Sequence, residues 1–149
     1  MTYGHLDLIQ RASAIFDEVI VAVAKDTPKE TFFSVEERVA MLREVTKAME
    51  GVRIEEFGGL IIDFARKKGA HVLVRGLRMI SDFEYELQMA LTNRRLADEV
   101  ETVFLMPSEG HQFLSSSLVK EAGLLGADIS SFAPEVVTEA FHQKTQQRS

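Results

Sequence analysis

The chain has 149 residues, of which 46% are apolar and 27% charged, as expected for one folded domain over residues 1–149 with a core of its own. It contains no cysteine, which excludes disulfides, thiolate catalysis and cysteine-based metal sites. The net charge of −6 argues against general binding of nucleic acid, so a polyanionic ligand would need a local cluster of cationic side chains.

The first third of the chain begins with a helical pattern and continues with a strand and a second helix. Apolar residues at helical spacing predict an amphipathic first helix: Leu8, Ile9, Ala12, Ile15 and Phe16. Residues 18–24 contain a continuous apolar run, which is typical of a strand buried on both faces. Ser34 and Glu37 form the S-x-x-E pattern of a capping box, which predicts the start of a second helix that Gly51 stops.

The rest of the chain keeps alternating between strand and helix. The predicted elements are a strand at 52–57, a helix at 60–68, a strand at 72–74, a helix at 81–96, a strand at 101–106, a helix at 118–125 and a last helix near Pro134. Gly69 is placed to end the helix before it, and Ser81 with Glu84 forms a second capping-box pattern, so the helix after the strand at 72–74 is predicted to start at Ser81.

This alternation predicts an α/β fold with a doubly wound parallel sheet and right-handed crossovers. Open sheets of this kind bind their ligands at the carboxyl ends of the strands. The loops expected to carry function are therefore residues 25–33, 58–60, 75–78 and 107–117.

Two arginines follow the predicted strand at 72–74. Arg75 and Arg78 are three residues apart, and such a pair can clamp phosphate or carboxylate groups. Gly76 between them would let the backbone approach a ligand closely. The alternative is a pair of surface arginines that form ion pairs with Asp82 or Glu86.

Other candidate groups lie in the remaining loops and at helix starts. His5 is in the first turn of the first helix, where free N–H groups attract anions, although a solvated side chain is the alternative. Lys29 is one of several lysines in polar surroundings. Ser115, Ser116 and Ser117 precede a helix and suit a phosphate chain, or simple N-capping.

Neither a nucleophile with its base nor a spacing of metal ligands is found in the sequence. Cationic groups and helix starts remain, and they suit phosphoryl or nucleotidyl transfer by positioning and charge stabilisation. The longest apolar run is too short to span a membrane, and no signal peptide is visible. We therefore expect a cytoplasmic location, with no nucleic-acid or membrane partner.

Six segments together resemble the bacterial phosphopantetheine adenylyltransferases of the nucleotidylyltransferase superfamily. They are T-Y-G-H-L-D (2–7), F-S-V-E-E-R (33–38), V-R-G-L-R (74–78), D-F-E-Y-E (82–86), V-F-L-M-P-S (103–108) and S-S-S-L-V-K-E (115–121). T-x-G-H alone marks only the superfamily, whereas R-G-L-R and S-S-S-L-V-K-E narrow the resemblance to this family. The resemblance implies a Rossmann-like nucleotidylyltransferase fold.

The resemblance also implies a reaction and its residues. ATP and 4′-phosphopantetheine would give dephospho-coenzyme A and pyrophosphate by in-line attack, with Mg²⁺, in a typical homohexamer. By match to the motifs, the catalytic residues would be His5, Lys29 and Arg78, and Lys29, Ile61 and Arg75 would bind phosphopantetheine. The residues implied for ATP binding are His5, Gly76, Leu77, Arg78, Glu86, His111, Gln112, Phe113, Leu114, Ser115, Ser116 and Ser117.

The sequence departs from the family at its start. The family places a strand and a turn of the type Y-P-G-T/S-F-D-P directly before T-x-G-H, and that segment is absent here. The expected fold therefore lacks its central first strand, so that two strands face a gap of about 10 Å. We expect that a GTG valine codon inside a longer reading frame was misread as the start codon, so that Met1 stands at a position where many family members have valine or isoleucine. A stop codon directly upstream of Met1 in the genomic DNA would contradict this.

Three functions are left open by these patterns. The first is the adenylyltransferase. The second is a truncated, catalytically impaired subunit that retains nucleotide binding or oligomer assembly. The third is a relative that adenylylates another phosphate, such as a nicotinamide or glycerol phosphate, and the intact V-R-G-L-R segment argues against it.

Overall fold

The computed structural model describes residues 1–26 and 31–147, the side chain of Ser81 excepted. Lys29, a predicted phosphate ligand, lies outside the described residues. The described elements are α1 (Tyr3–Ser13), β1 (Val19–Ala24), α2 (Val35–Thr46), β2 (Val52–Phe57), α3 (Ile61–Lys68), β3 (Val72–Gly76), α4 (Ile80–Leu96), β4 (Glu101–Leu105), a 3₁₀ turn (Glu109–His111), α5 (Ser116–Leu124) and α6 (Glu135–Gln146). The predicted alternation of strands and helices is confirmed.

The described strands form two parallel pairs. β1 pairs with β2 so that Val21 lies opposite Ile54, and β3 pairs with β4 so that Arg75 lies opposite Phe104. Within the described residues, the two pairs are separate two-stranded sheets. Helix α1 packs against β1 and also against β4, so it connects the two pairs. The parallel pairing is confirmed, whereas the absence of a central strand stays a prediction.

Strand β1 is less buried than its sequence predicts. An apolar run of this kind is typical of a strand covered on both faces, but only Val23 is buried and the other five residues are partly exposed. The reason is that β1 has β2 as its strand partner on one side only, among the described strands. The apolar run therefore predicted the strand correctly, but its prediction that both faces of the strand are buried is wrong.

Two of the predicted helix signals are present as hydrogen bonds or dihedral angles. The Ser34 N–H donates to Glu37 Oε2 at 2.6 Å, and the Glu37 N–H donates to Ser34 Oγ at 3.2 Å, so the capping box of α2 is confirmed. Gly69 ends α3 in the left-handed conformation, with φ of 66°. Helix α1 ends at Ser13, so the predicted helical positions Ile15 and Phe16 lie beyond it.

The predicted start of α4 at Ser81 is wrong. The helix begins at Ile80 with Met79 as its N-cap, and Ser81 lies inside the first turn. The Asp82 carboxylate accepts a hydrogen bond from the Arg78 N–H at 3.3 Å. The Asp82 carboxylate, one residue after Ser81, therefore accepts from a backbone N–H at this helix start. The Ser81–Glu84 pattern was expected to provide that acceptor.

Strand β3 is longer than predicted, because its ladder with β4 continues to Gly76 opposite Leu105. The Leu77 N–H then donates to the Leu105 carbonyl at 3.1 Å. Arg75 and Gly76 therefore belong to the strand, and only Leu77 to Met79 connect it to α4. This fixes the backbone direction of Arg75 by sheet hydrogen bonds rather than by a turn.

Helix α4 exposes apolar side chains along much of its length. Ile80 is 91% exposed, and Tyr85 and Leu91 are also more than half exposed. A membrane span does not explain them, since the described residues contain no helix that combines the necessary length and apolar character. Several exposed apolar side chains on one helix of a folded domain are consistent with a protein contact.

Among the described residues, the largest buried cluster is formed by α2, α6 and the loops before them. Its members are Phe33, Met41, Ile129, Ala133, Val137 and Phe141. Gly123 of α5 faces this cluster, and a Cβ at that position would lie 2.6 Å from Phe141 Cε1 and 3.2 Å from Ile129 Cγ2. The absence of a side chain at Gly123 therefore allows α5 to approach the cluster closely.

We expect Gly123→Ala to lower the free energy of unfolding by about 1–3 kcal/mol, the usual cost of overpacking a core. The direction of this change is informative, because replacing glycine with alanine in an exposed helix would instead raise the free energy of unfolding by about 1 kcal/mol. Denaturant unfolding measures the change. The matched control is Gly110→Ala, whose Cβ would meet nothing within 4 Å; a Gly123 variant as stable as this control would contradict the packing described.

Candidate active site

The first turn of α1 fixes the imidazole of His5. The backbone N–H of Thr2 donates to His5 Nδ1 at 3.3 Å, and Thr2 Oγ1 lies 3.0 Å from the same nitrogen. Because a backbone N–H can only donate, Nδ1 must be the unprotonated acceptor, and the ring proton lies on Nε2. His5 therefore offers one N–H donor beside the N-terminus of α1.

The surroundings of His5 keep this ring neutral. Although part of the side chain is open to solvent, burial of the rest lowers its pKa to about 4, and the positive charges of the amino terminus and Arg78 act in the same direction. At neutral pH the ring is therefore an uncharged hydrogen-bond donor. Such a donor can stabilise negative charge that develops on a bound phosphate.

Arg78 connects three parts of the site. Its Nη1 donates to the Leu114 carbonyl at 2.7 Å, and its Nε donates to Asp82 Oδ2 at 3.1 Å. The same guanidinium is close enough to His5 to lower the pKa of the ring. The structure therefore brings His5, Arg78 and the segment around Leu114 together, and their proposed roles stay predictions.

Helix α5 begins at Ser116 with Ser115 as its N-cap, two residues before the predicted start at 118. Ser116 and Ser117 therefore lie in the first turn of the helix rather than in the loop before it. A cavity of about 250 Å³ adjoins this turn. Most of its lining is apolar, and its polar lining residues are Thr2, Thr31, Arg38, Ser116, Ser117 and Lys120. The N-terminal ends of α1 and α5 and two cationic residues thus border this space, which favours an anionic group at that end of it, whereas His5, Arg75 and Arg78 are not among the lining residues.

Arg75 is held by an acidic residue of α4. Its Nε donates to Glu86 Oε2 at 2.9 Å and its Nη2 to Glu86 Oε1 at 2.7 Å, which is a bidentate pair. Arg78 is paired in turn with Asp82. The ion-pair alternative for the two arginines is therefore present in the structure, and the two guanidinium groups contact different carboxylates instead of forming one joint clamp.

The ion pairs do not use every donor of either arginine. A guanidinium carries five N–H groups, and Glu86 accepts two from Arg75. The hydrogen bond with Glu86 raises the pKa of Arg75, so its charge is permanent. Arg75 can therefore still contact a phosphate while it remains fixed by Glu86.

Gly76 packs against a helix. A Cβ at this position would lie 3.2 Å from Leu8 Cδ2 of α1. Its missing side chain therefore makes room for α1, and close approach of a ligand to Gly76 stays a prediction. Leu77, the next residue, continues the backbone pairing with Leu105.

The predicted phosphopantetheine residues are not brought together by contacts in the described part of the chain. Ile61 is the first residue of α3 and packs against the buried cluster that contains Ile62 and Ala65. Arg75 is paired with Glu86, and Lys29 lies outside the described residues. The roles of Ile61, Arg75 and Lys29 stay predictions.

The sequence reasoning missed a network between α1 and the loop after β4. Asp7 is buried and accepts hydrogen bonds from the Ser108 N–H at 2.9 Å and from the Ser108 hydroxyl. Arg11 donates to Asp7 Oδ2 at 3.1 Å and to Ser108 Oγ at 2.8 Å. Asp7 and Ser108 each lie in one of the six segments quoted above, but nothing in the sequence indicates that they meet.

Comparison with known proteins adds an independent finding. A family model described as cytidylyltransferase-like matches residues 1–122. The phosphopantetheine adenylyltransferase of Alkaliphilus metalliredigens is 50% identical over 97% of this chain and 92% of its own length. The enzymes of the same name from Caldanaerobacter subterraneus and Alkalilimnicola ehrlichii are 47% and 50% identical, each over 97% of this chain and over 90% and 84% of their own lengths.

Proposed function

This chain belongs to the phosphopantetheine adenylyltransferases, within the cytidylyltransferase-like family, and we propose that it transfers the adenylyl group of ATP to 4′-phosphopantetheine. The products are dephospho-coenzyme A and pyrophosphate, a step of coenzyme A biosynthesis. The observation that carries the proposal is a neutral imidazole donor in the first turn of α1, near Arg78, whose guanidinium donates to the Leu114 carbonyl just before α5.

The reaction is a substitution at the α-phosphorus of ATP. A phosphate oxygen of phosphopantetheine forms a new bond to that phosphorus, while the bond to the β-phosphate oxygen breaks and pyrophosphate leaves with the electron pair. Negative charge accumulates on the α-phosphate oxygens between these events. The Nε2 N–H of His5 and the guanidinium of Arg78 would stabilise this charge, and no enzyme atom forms a bond to either substrate.

The remaining residues divide between the two substrates. We propose that Arg75, Lys29 and Ile61 hold phosphopantetheine, the first two by its phosphate and the last by its pantetheine arm. The residues proposed for ATP are His5, Gly76, Leu77, Arg78, Glu86, His111, Gln112, Phe113, Leu114, Ser115, Ser116 and Ser117. Support comes from the position of Ser116 and Ser117 in the first turn of α5, where free N–H groups favour phosphate.

The described residues offer little to hold Mg²⁺ directly. They contain no group of three or more acidic or histidine side chains that could bind a metal ion. The carboxylates nearest to the site are engaged by other donors, since Asp7 accepts from Ser108 and Arg11, Asp82 from Arg78, and Glu86 from Arg75. In our proposal Mg²⁺ enters as the counter-ion of ATP, held by phosphate oxygens and water.

Pyrophosphate release from ATP and phosphopantetheine tests the proposed function. Release that requires both substrates supports the adenylyltransferase, and the same assay with nicotinamide or glycerol phosphate as acceptor tests the third function. Nucleotide binding without release of pyrophosphate would instead favour an impaired subunit that retains binding or assembly. Release without dependence on phosphopantetheine would refute the proposal.

We also propose that the chain assembles as a homohexamer in the cytoplasm. The apolar side chains exposed on α4 support a contact between copies of the chain. We expect a sedimenting mass of roughly six times the 16.7 kDa chain, and we expect Leu91→Glu to lower it by placing a charge in that contact. Leu125→Glu, on a still more exposed apolar residue after α5, is the control; an unchanged mass for Leu91→Glu would exclude α4 from the contact.

A further inference from the structure

The loop between β4 and α5 is held against α1 by a buried carboxylate. Asp7 lies two residues after His5 in α1, and it is 9% exposed. It accepts two hydrogen bonds from Ser108, the first residue after Pro107, and one from Arg11. The two bonds from Ser108 join parts of the chain that are 101 residues apart in sequence.

The other end of the same loop is also fixed near the N-terminus of α1. The Leu114 carbonyl accepts from Arg78, and Tyr3 stacks on His111 with ring centroids 6.3 Å apart. A Cβ on Gly4 would lie 3.6 Å from the His111 carbonyl. The segment from Ser108 to Leu114 therefore rests on the first two turns of α1, the turns that also position His5.

His111 gives a second indication that Asp7 organises this segment. Its Nδ1 lies 3.9 Å from Asp7 Oδ1, and it is the buried side-chain nitrogen left without a hydrogen-bond partner among the described residues. The oxygens of Asp7 are occupied by Ser108 and Arg11 instead. Asp7 thus adjoins both the first residue of the segment and His111, the first loop residue proposed to bind ATP.

We propose that Asp7 is a positioning residue that fixes the segment from Ser108 to Leu114 for ATP, an inference that rests on the proposed function because it takes this segment as part of the nucleotide site. Burial raises the pKa of Asp7, but the hydrogen bonds from Ser108 and the charge of Arg11 outweigh it and hold the pKa below its usual value. The carboxylate is therefore ionised at neutral pH, which makes these hydrogen bonds charge-assisted. Asp7 itself touches neither substrate in this proposal.

The test compares the two substrates in Asp7→Ala and Ser108→Ala. We expect Asp7→Ala to raise the KM for ATP, and the Kd for ATP in the absence of acceptor, by about tenfold to hundredfold, the scale of losing charge-assisted hydrogen bonds. The KM for phosphopantetheine should change by less than about threefold. Ser108→Ala keeps its backbone N–H bond and should show a smaller effect of the same kind.

Another aspartate provides a control for removing a carboxylate that accepts two hydrogen bonds from one serine. Asp128 also accepts from a serine backbone N–H at 2.9 Å and from the same serine's hydroxyl at 3.0 Å, but within a local turn. Asp128→Ala should leave both KM values unchanged. Asp7→Asn keeps an acceptor oxygen for the Ser108 N–H and should recover part of the ATP affinity.

Several outcomes would overturn the inference. Equal loss of affinity for both substrates, together with a lower unfolding midpoint, would assign Asp7 a purely structural role. Unchanged ATP binding in Asp7→Ala, when the unmodified chain binds ATP, would refute the positioning role alone. An unmodified chain that binds ATP but releases no pyrophosphate would refute the proposed function and leave the binding test valid, whereas one that binds no ATP would refute both.

Discussion

His5→Ala is expected to lower kcat by about 10²–10³-fold, the typical effect of removing one hydrogen-bond donor to developing charge. The KM for ATP should change little, because this donor is proposed to act on charge that is greatest in the transition state. The structural basis is the fixed tautomer, in which the Thr2 N–H occupies Nδ1 and leaves the proton on Nε2. Steady-state pyrophosphate release measures both constants.

His5→Gln separates the chemical role of His5 from its structural role. Glutamine at the third position of a helix can accept from the N-cap N–H, so the variant retains the capping bond with Thr2. Alanine loses that bond and should lower the free energy of unfolding by about 0.5–2 kcal/mol. We therefore expect glutamine to restore stability but only part of kcat.

The control for both variants is His142→Gln, since His142 lies exposed on α6. This variant should keep the kcat and the stability of the unmodified chain. If His5→Gln recovered the full kcat along with the stability, His5 would serve the helix start and not the chemistry. An alanine variant with normal kcat would exclude His5 from the reaction.

Features that depend on a few neighbouring residues could be predicted from the sequence. The capping box of Ser34 and Glu37 and the helix end at Gly69 both form as expected, because each is set by backbone groups within four residues. The order of strands and helices follows from the same local patterns. So does the placement of His5 in the first turn of a helix.

Features that depend on contacts between distant segments could not be predicted. Leu8 of α1 packs against Gly76, and Asp7 accepts from Ser108, although neither pair is close in sequence. The arginine pair shows the same limit. Its sequence allowed a phosphate clamp or ion pairs. The local i,i+4 spacing favours the pairing of Arg78 with Asp82, whereas the pairing of Arg75 with Glu86 joins a strand to the next helix and depends on the tertiary structure.

Arg75→Met is expected to lower both stability and phosphopantetheine binding. Removing one partner of a buried ion pair costs about 3–5 kcal/mol, because the other charge stays buried without a partner. Glu86 is such a partner, with its side chain 11% exposed, but the Arg75 side chain is 46% exposed, so solvent screening reduces the expected loss to about 2 kcal/mol. Denaturant unfolding measures this part of the effect.

Binding provides the second measurement. If Arg75 holds the phosphate of phosphopantetheine, Arg75→Met should weaken phosphopantetheine binding by about tenfold or more and ATP binding by less. A titration with each substrate gives the two Kd values. Equal weakening of both would contradict the assigned role, although the instability of the variant could by itself produce a general loss of binding.

The double variant Arg75→Met/Glu86→Gln resolves that ambiguity, because neutralising Glu86 removes the unpaired charge that Arg75→Met leaves behind. We expect the double variant to recover most of the lost stability and to remain deficient in phosphopantetheine binding. Glu86→Gln alone is the reference, since Glu86 is itself proposed to contact ATP. Recovery of phosphopantetheine binding together with stability would show that Arg75 serves the fold, and the phosphate would then need another cation.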